Sequence, residues 1–345
     1  MTDRHVAGGG PPPAFRGRRH GGPPLSACNL SISQGQGGGA NRAVGACMTL
    51  PRAIHPNTRY LVSRRVTQRQ FFLRPGAKTN QIILYALAYA AKVSGVNVHV
   101  VIAMSNHIHC VVTDPLGKLP VFLHALDRLI ACCMNKLLGH HEAFWDSDPP
   151  SVVTLEDDVA VIDSIAYTIA NPTRAGLVFD PAEWPGAITP VCGLRMEVAR
   201  PDVYFSKKGK MPRSIELNVV PPELASCADV HDVLARTRAA LDEKLRIARA
   251  EIAESGRPFL GRDRVLAMDP SARASTLEPS NKRKPRMAAR RVEARRCAID
   301  RLRAFHASYA RALHLWREGD RRVVFPAGTY AMRVRHGVMV DDAPE

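Results

Sequence analysis

The sequence predicts an α+β fold in which an antiparallel sheet is covered by helices on one face. Short β-branched runs alternate with two long segments whose apolar residues recur at helical spacing. A turn-like Ser105-Asn106 joins two of the β runs into a predicted antiparallel hairpin. A hydrophobic content of 46% in 345 residues is enough for at least one sizeable core.

The predicted elements follow one another in the order strand, helix, strand, strand, helix, strand. This is the order of the split βαβ unit of a ferredoxin-like fold, in which two helices pack on the sheet. The strands are predicted over 60–66, 96–104, 107–113 and 152–154, and the two helices over 79–93 and 119–138.

A third helix is predicted to begin near Glu156, where Thr154 can cap it and three acidic residues suit the positive end of the helix dipole. It is expected to end at about Asn171, because Pro172 disfavours helical backbone at the residue before it. A further helix is predicted over 231–254.

Composition divides the chain into three predicted parts. Residues 1–47 are crowded with Gly, Pro and Ser and are expected to form a disordered tail, because they bury too little apolar surface to offset the entropy of ordering. Residues 48–195 hold the α+β domain. Residues 196–345 form a C-terminal region with a linker and a basic helix over about 282–318. Within it, Lys282 to Arg303 contains ten basic and two acidic residues, a net charge of +8.

The net charge of +16 favours a polyanionic partner, because each Lys or Arg placed against a phosphate releases condensed counterions. Nucleic acid is the first interpretation and an anionic membrane surface the second. The longest apolar stretch, around Ile82 to Ala91, is far shorter than the roughly 20 residues that span a bilayer, so no membrane span is predicted. The eight cysteines lack Cys-x-x-Cys spacing and no signal-like segment is seen, which indicates reduced thiols and a cytoplasmic protein.

The run Met104-Ser105-Asn106-His107-Ile108-His109 carries the sharpest local signal. Its two histidines alternate along a predicted strand, so they project from one face and can share one metal ion. Taken alone, the pattern also fits a pair of ordinary surface or core histidines.

Tyr167 and Asn171 lie four residues apart on the third predicted helix and therefore share a helix face. If that helix packs over the histidine strand, a nucleophile and an oxygen ligand face the same metal ion. A tyrosine packed in the core and an asparagine that merely ends the helix are the alternative interpretation.

Three segments resemble the REP-associated tyrosine transposases, which belong with the HUH single-tyrosine insertion-sequence transposases. They are Met104 to Val112, Tyr167 to Val178 and Arg64 to Phe72, and the resemblance resumes at Val323 to Tyr330. It covers roughly Met48 to Pro190. The resemblance implies that the α+β domain is an HUH transposase core, with Tyr167 as nucleophile and with His107, His109 and Asn171 as metal ligands.

The resemblance also implies a reaction and a partner. Tyr167 would attack a phosphodiester of single-stranded or hairpin DNA, leaving a 5′-phosphotyrosine and a free 3′-hydroxyl that can later rejoin the strand. Two imidazoles, an amide oxygen and water suit Mg²⁺ or Mn²⁺, between which the sequence does not choose. Monomer and homodimer both stay open.

Seven arginines are candidate DNA contacts. Those of the basic stretch are expected to touch phosphates and to supply affinity rather than sequence choice. A solvated helix of high charge density is the alternative. The candidates are Arg64, Arg65, Arg174, Arg290, Arg291, Arg295 and Arg296.

Two other functions stay open at this point. A catalytically inactive or domesticated DNA-binding protein of the same fold would keep the basic surface without the chemistry. An unrelated metal-dependent hydrolase built on His-x-His would need nearby carboxylates to complete the metal shell and activate water. Asp114 is close in sequence, but it lies beyond the predicted strand end.

Overall fold

The computed structural model describes residues 50–190, 193–203, 211–275 and 285–342. The predicted tail over 1–47 and residues 282–284 of the predicted basic helix lie outside these ranges. None of the helices in the described ranges combines the length and the apolar character that a bilayer crossing requires.

A seven-stranded sheet forms the centre of the fold. Its strands are β1 (Thr58–Arg65), β2 (Asn97–Met104), β3 (His107–Asp114), β4 (Ser151–Leu155), β5 (Leu194–Ala199), β6 (Ser214–Val219) and β7 (Met287–Ala288). They lie in the order β5-β6-β2-β3-β1-β4-β7. The four central strands are antiparallel to their neighbours within this group, and their order β2-β3-β1-β4 is that of a ferredoxin-like sheet. The predicted α+β fold is therefore confirmed.

Helices cover both faces of the sheet. The α-helices of the described residues are α1 (Ala77–Ser94), α2 (Leu119–Leu138), α3 (Asp158–Arg174), α4 (Val230–Glu254), α5 (Arg262–Ala267), α6 (Val292–Arg317) and α7 (Ala331–His336). The predicted pair, α1 and α2, packs on one face in the largest apolar core. The opposite face carries α3 and α4. The sequence prediction covered the first face only.

Strand periodicity assigns the residues of β3 to the two faces. Ile108 and Cys110 belong to the core beneath α1 and α2. Val111 packs with Val161 and Ile165, which lie one turn apart on α3. Because alternate residues of a strand share a face, the odd-numbered residues of β3 all lie on the α3 side.

The ends of α3 differ from the prediction. The cap is Asp157, whose Oδ1 accepts a 2.7 Å hydrogen bond from the Ala160 amide, whereas Thr154 lies within β4. The helix continues through Pro172 to Arg174. A proline lacks an N–H but keeps its carbonyl, and the Pro172 carbonyl accepts from the Leu177 amide at 2.9 Å. The proline therefore removes one hydrogen bond of the last turns without ending the helix.

The C-terminal part is built into the same sheet. The domain boundary predicted at residue 195 falls inside β5, which pairs with β6, and β6 in turn lies beside β2. The basic helix begins at Val292, about ten residues later than predicted. The reason is long-range: Asp157 Oδ2 accepts from the backbone amides of Arg290 and Arg291, at 2.7 and 2.9 Å. Arg290 and Arg291 are thus held outside the helix, immediately before its first residue.

Candidate active site

The turn end of the β2–β3 hairpin brings two imidazoles together. His107 lies opposite Arg65 of β1, and His109 lies opposite Ser63. Their ring centroids are 4.7 Å apart and their planes are nearly perpendicular, at 87°. The alternation predicted from the sequence therefore places both rings on the α3 side of the sheet.

A neighbouring amide fixes the orientation of His107. The Asn106 Oδ1 accepts a 2.6 Å hydrogen bond from His107 Nδ1, while Asn106 Nδ2 donates to the Arg69 carbonyl at 3.3 Å. With its proton on Nδ1, the ring keeps a lone pair on Nε2. Burial, followed by the charges of Arg65 and Arg69, lowers the pKa of His107 to about 4. The imidazole is therefore neutral near pH 7 and able to bind a metal ion.

The second imidazole has an unused nitrogen. His109 is only 8% exposed, and its Nδ1 is buried without a hydrogen-bond partner among the described residues. Burial lowers its pKa well below the ordinary value, and the charges on His107 and Arg174 act in the same direction. Buried polar atoms are almost always paired, and one left unpaired costs about 1–3 kcal/mol. A neutral ring with a free nitrogen has the chemistry of a metal ligand.

Tyr167 lies against His109. The two ring centroids are 5.8 Å apart, with the planes at 88°. On the same helix, the Arg174 guanidinium lies 4.5 Å from the centre of the Tyr167 ring. Tyr167 is half-buried and Arg174 is exposed, so a phenol and a cation border the imidazoles on the side that meets solvent.

Asn171 lies one turn after Tyr167, as the helical spacing predicts. It is 8% exposed, and its amide nitrogen is buried without a hydrogen-bond partner in the part of the chain that the structure describes. In the described part of the chain, no group of three or more His, Cys, Asp or Glu side chains could hold a metal ion. A site here would combine two imidazoles with the Asn171 amide. This donor set fits an ion that keeps part of its water shell, such as Mg²⁺ or Mn²⁺.

The segment after α3, together with Val265 of α5, packs beside the site, and sequence reasoning missed this contact. Val178, Trp184 and Val265 pack on Ile102 and Met104 of β2, the strand beside the two histidines. The Trp184 indole donates a 3.0 Å hydrogen bond to the Ala103 carbonyl. A Cβ at Gly186 would lie 2.4 Å from that indole nitrogen, so only glycine fits there. The Trp-Pro-Gly sequence at 184–186 was the available signal.

The predicted DNA contacts Arg64 and Arg65 have acidic partners within the protein. Arg64 Nε lies 3.2 Å from Asp127 Oδ2, and its side chain is only 15% exposed. Arg65 pairs with Asp146 at 2.7 Å. These ion pairs tie both arginines to the fold. Arg65 lies opposite His107 on the neighbouring strand, and Arg174 lies beside Tyr167.

The other predicted contacts lie at or before the start of α6. Arg290 forms an ion pair with Asp163 of α3, and Arg295 donates to the Ala289 carbonyl at 3.1 Å. Arg291 and Arg296 are exposed. The structure does not bring these four arginines to the histidines, although Arg290 is joined to the helix that carries Tyr167.

The carboxylate nearest in sequence to the histidines is not available to them. Asp114 is fully buried. Its Oδ1 accepts from the Lys118 amide at 2.9 Å and its Oδ2 from the Leu119 amide at 2.6 Å, so it serves the start of α2. Five residues separate it from His109, which places its side chain on the other face of the sheet.

Comparison with known proteins gives a limited result. No protein-family model and no curated protein sequence matches the chain. A solved structure of a REP-associated tyrosine transposase bound to a REP hairpin is similar with a TM-score of 0.35 and 12% identity, over 47% of this chain and 96% of that chain. A protein of Deinococcus radiodurans R1 assigned as a transposase is similar with a TM-score of 0.25 and 18% identity, over 31% of this chain and 85% of that chain. At these values, the geometry of the site must carry any argument about function.

Proposed function

We propose that the chain is a single-tyrosine DNA transposase of the HUH type, which cuts and rejoins single-stranded DNA with Tyr167 as nucleophile. One observation carries the proposal: a half-buried phenol lies against two neutral imidazoles, with 5.8 Å between the Tyr167 and His109 rings and 4.7 Å between the histidines. A nucleophile on one element and nitrogen ligands for a divalent ion on the facing element suit a metal-assisted attack on a phosphodiester.

The chemistry is a pair of transesterifications. The Tyr167 oxygen attacks the phosphorus of a phosphodiester and loses its proton. The bond from phosphorus to the 3′-oxygen breaks, and that oxygen leaves as a 3′-hydroxyl after taking up a proton. A 5′-phosphotyrosine retains the bond energy, so a 3′-hydroxyl can attack it later and release Tyr167. No external energy source is needed.

His107, His109 and Asn171 would hold the divalent cation, Mg²⁺ or Mn²⁺. When bound, such an ion polarises phosphate oxygens and neutralises the charge that develops on them. The Asn106 hydrogen bond orients His107 for this role. Arg174 is exposed beside Tyr167, where its guanidinium can contact a phosphate of the incoming strand.

The two alternative functions, a metal-dependent hydrolase and an inactive DNA-binding protein, require different features at this site. A metal-dependent hydrolase needs a carboxylate to activate water, and Asp114 is engaged at the start of α2 on the other face of the sheet. In a DNA-binding protein without activity, the buried nitrogen of His109 would bind no metal ion, and its lack of a partner among the described residues would only cost stability. Both observations favour the transposase.

The proposal is tested by incubating the protein with a labelled pool of single strands that carry a hairpin of randomised sequence, with and without Mn²⁺. We expect a covalent protein–DNA adduct that survives denaturation and that forms only with the metal. Cleaved strands without an adduct would identify a hydrolase. Retained DNA with neither cleavage nor adduct would identify a binding protein.

A further inference from the structure

A cavity lies at the end of β1 that is farther from the histidines. Its volume is about 510 Å³, and its wall is formed by residues 52–59, the end of β4, β7 and α6. Thr58, at its edge, lies five residues before Ser63, the β1 partner of His109. At about 3.3 Å per residue this separation is roughly 17 Å, so the cavity is distinct from the histidine site.

The cavity is strongly cationic. Four arginines line it, and Glu156 is the one acid among its described lining residues. Arg59 is neutralised by Asp158 at 2.6 Å, and Arg301 is neutralised by Glu156. The two other lining arginines, Arg52 and Arg286, have no acidic partner within the described residues.

These two unpaired guanidinium groups are held near each other. Arg286 Nη1 donates to the Leu50 and Pro51 carbonyls, at 3.4 and 3.5 Å, which ties it to the segment that carries Arg52. Burial, followed by the charge of Arg286, lowers the pKa of Arg52. The two positive charges repel each other, and an anion bound between them would offset this repulsion. The cavity therefore has the charge of a phosphate site.

The cavity also has an apolar wall. It consists of Leu155, Met287, Ala298, Leu302 and Phe305. Phosphate alone would have no use for this wall, and an apolar ligand would leave the two arginines unneutralised. Ligand pockets of this volume are lined mostly by apolar groups, with a few placed polar groups that set orientation. A ligand with a phosphate at one end and a flat ring at the other matches both parts.

We propose that this cavity binds a nucleotide, with the phosphate on Arg52 and Arg286 and the base against the wall formed by Leu302 and Phe305. The site does not depend on the activity proposed for Tyr167. The nucleotide can be free or can belong to a DNA strand, since both present a phosphate joined to a base.

The test uses the full chain and measures binding of deoxyadenosine monophosphate by titration calorimetry. Arg52→Gln removes one unpaired charge and is expected to weaken binding about tenfold, the loss typical of one charge-assisted hydrogen bond. Arg303→Gln removes the same charge from a side chain of α6 that is 78% exposed and lies outside the cavity, so its affinity should match the parent. Ala298→Leu fills the cavity and leaves the charge unchanged, and it should also weaken binding. Thermal unfolding of each variant shows that the fold is kept.

Several results would overturn the proposal. One is equal nucleotide affinity of Arg52→Gln and Arg303→Gln, which would show that only the net charge of the protein matters. Another is inorganic phosphate binding as tightly as the nucleotide, which would show that the apolar wall does not contribute to binding of the base. Lack of measurable nucleotide binding by the parent chain would overturn it as well. If the nucleotide binds, competition with a short single-stranded oligonucleotide identifies the source. Displacement supports a nucleotide of a strand, and no displacement supports a free nucleotide.

Discussion

A histidine is buried at each end of the β2–β3 hairpin, but the two rings differ in their hydrogen bonds. At the open end, His99 Nδ1 donates to the Val220 carbonyl at 2.7 Å, and its Nε2 accepts from the Thr113 hydroxyl at 2.7 Å. Towards the turn, His109 is also buried, yet its Nδ1 has no hydrogen-bond partner within the described ranges. Burial is the largest cause of a lowered pKa in both rings. Burial and a shifted pKa therefore do not distinguish a structural histidine from a candidate ligand.

The difference lies in unused hydrogen-bonding capacity. Both nitrogens of His99 are used, and they join β2 to β3 and to the backbone after β6. The Nδ1 of His109 has no hydrogen-bond partner within the described residues, as expected if this ring holds the proposed metal ion. Substitutions at the two ends of the hairpin can test whether the turn end has a chemical role and the open end a structural one.

The largest effect is expected for Tyr167→Phe. This substitution keeps the ring that packs against His109 and removes only the hydroxyl, so strand cleavage and the covalent adduct should disappear. DNA affinity, measured by fluorescence anisotropy, should stay close to that of the parent. Adduct formation by the variant would assign the nucleophile to another tyrosine. Cleavage without an adduct would favour the hydrolase.

His107→Ala should suppress cleavage strongly by removing one metal ligand. Because the nucleophile remains, a raised Mn²⁺ concentration should restore a trace of activity, whereas no concentration should rescue Tyr167→Phe. The measurement is the cleavage rate against Mn²⁺ concentration. His99→Ala is the matched control at the other end of the hairpin and should cleave at the parental rate per folded molecule. An unaffected His107→Ala would remove the imidazole from the mechanism.

The contrast also predicts a difference in folding stability. His99→Ala leaves the Val220 carbonyl and the Thr113 hydroxyl without their partner, whereas His109→Ala breaks no hydrogen bond at Nδ1. In metal-free buffer, His99→Ala should therefore lower the free energy of unfolding by about 1–3 kcal/mol more than His109→Ala. Urea denaturation measures both. Equal losses would mean that the two rings have the same structural role.

The smallest effect is a change in pH dependence. Burial lowers the pKa of folded His99 from 6.5 to about 4. Between these values the unfolded chain binds a proton that the folded chain does not, so stability falls as the pH falls from 6.5 towards 4. His99→Ala lacks this contribution, and its unfolding free energy should fall less over that window. Parallel curves for parent and variant would show that His99 titrates normally in the folded protein.

The sequence predicted the parts of the fold that local periodicity determines. The four central strands, α1 and α2 lie within a few residues of the predicted positions, because alternation and helical spacing are properties of neighbouring residues. The same two periods put the histidines on one face of β3 and Tyr167 beside Asn171 on α3. Whether α3 would cover that face was a question of packing, and only the structure answers it.

The rest depended on contacts between distant residues. Asp157 caps α3 and also binds the amides of Arg290 and Arg291, more than 130 residues away, so the start of the basic helix could not be read locally. The strands β6 and β7 each join the sheet beside strands distant in sequence. Arg64 and Arg65 form ion pairs with Asp127 and Asp146, which lie more than 60 residues away in the sequence and could not be assigned to them in advance. The sequence shows that a segment is basic, but it does not show which acidic side chains lie beside its arginines in the fold.

The central claim is that Tyr167, and no other tyrosine, becomes joined to DNA. The direct measurement is to trap the adduct formed with Mn²⁺, digest both protein and DNA, and identify the modified peptide by mass spectrometry. We predict that the nucleotide mass lies on the peptide containing Tyr167, attached to its side-chain oxygen. A nucleotide on Tyr89 or Tyr85 of α1, on the far side of the sheet, would contradict the assignment of the active site.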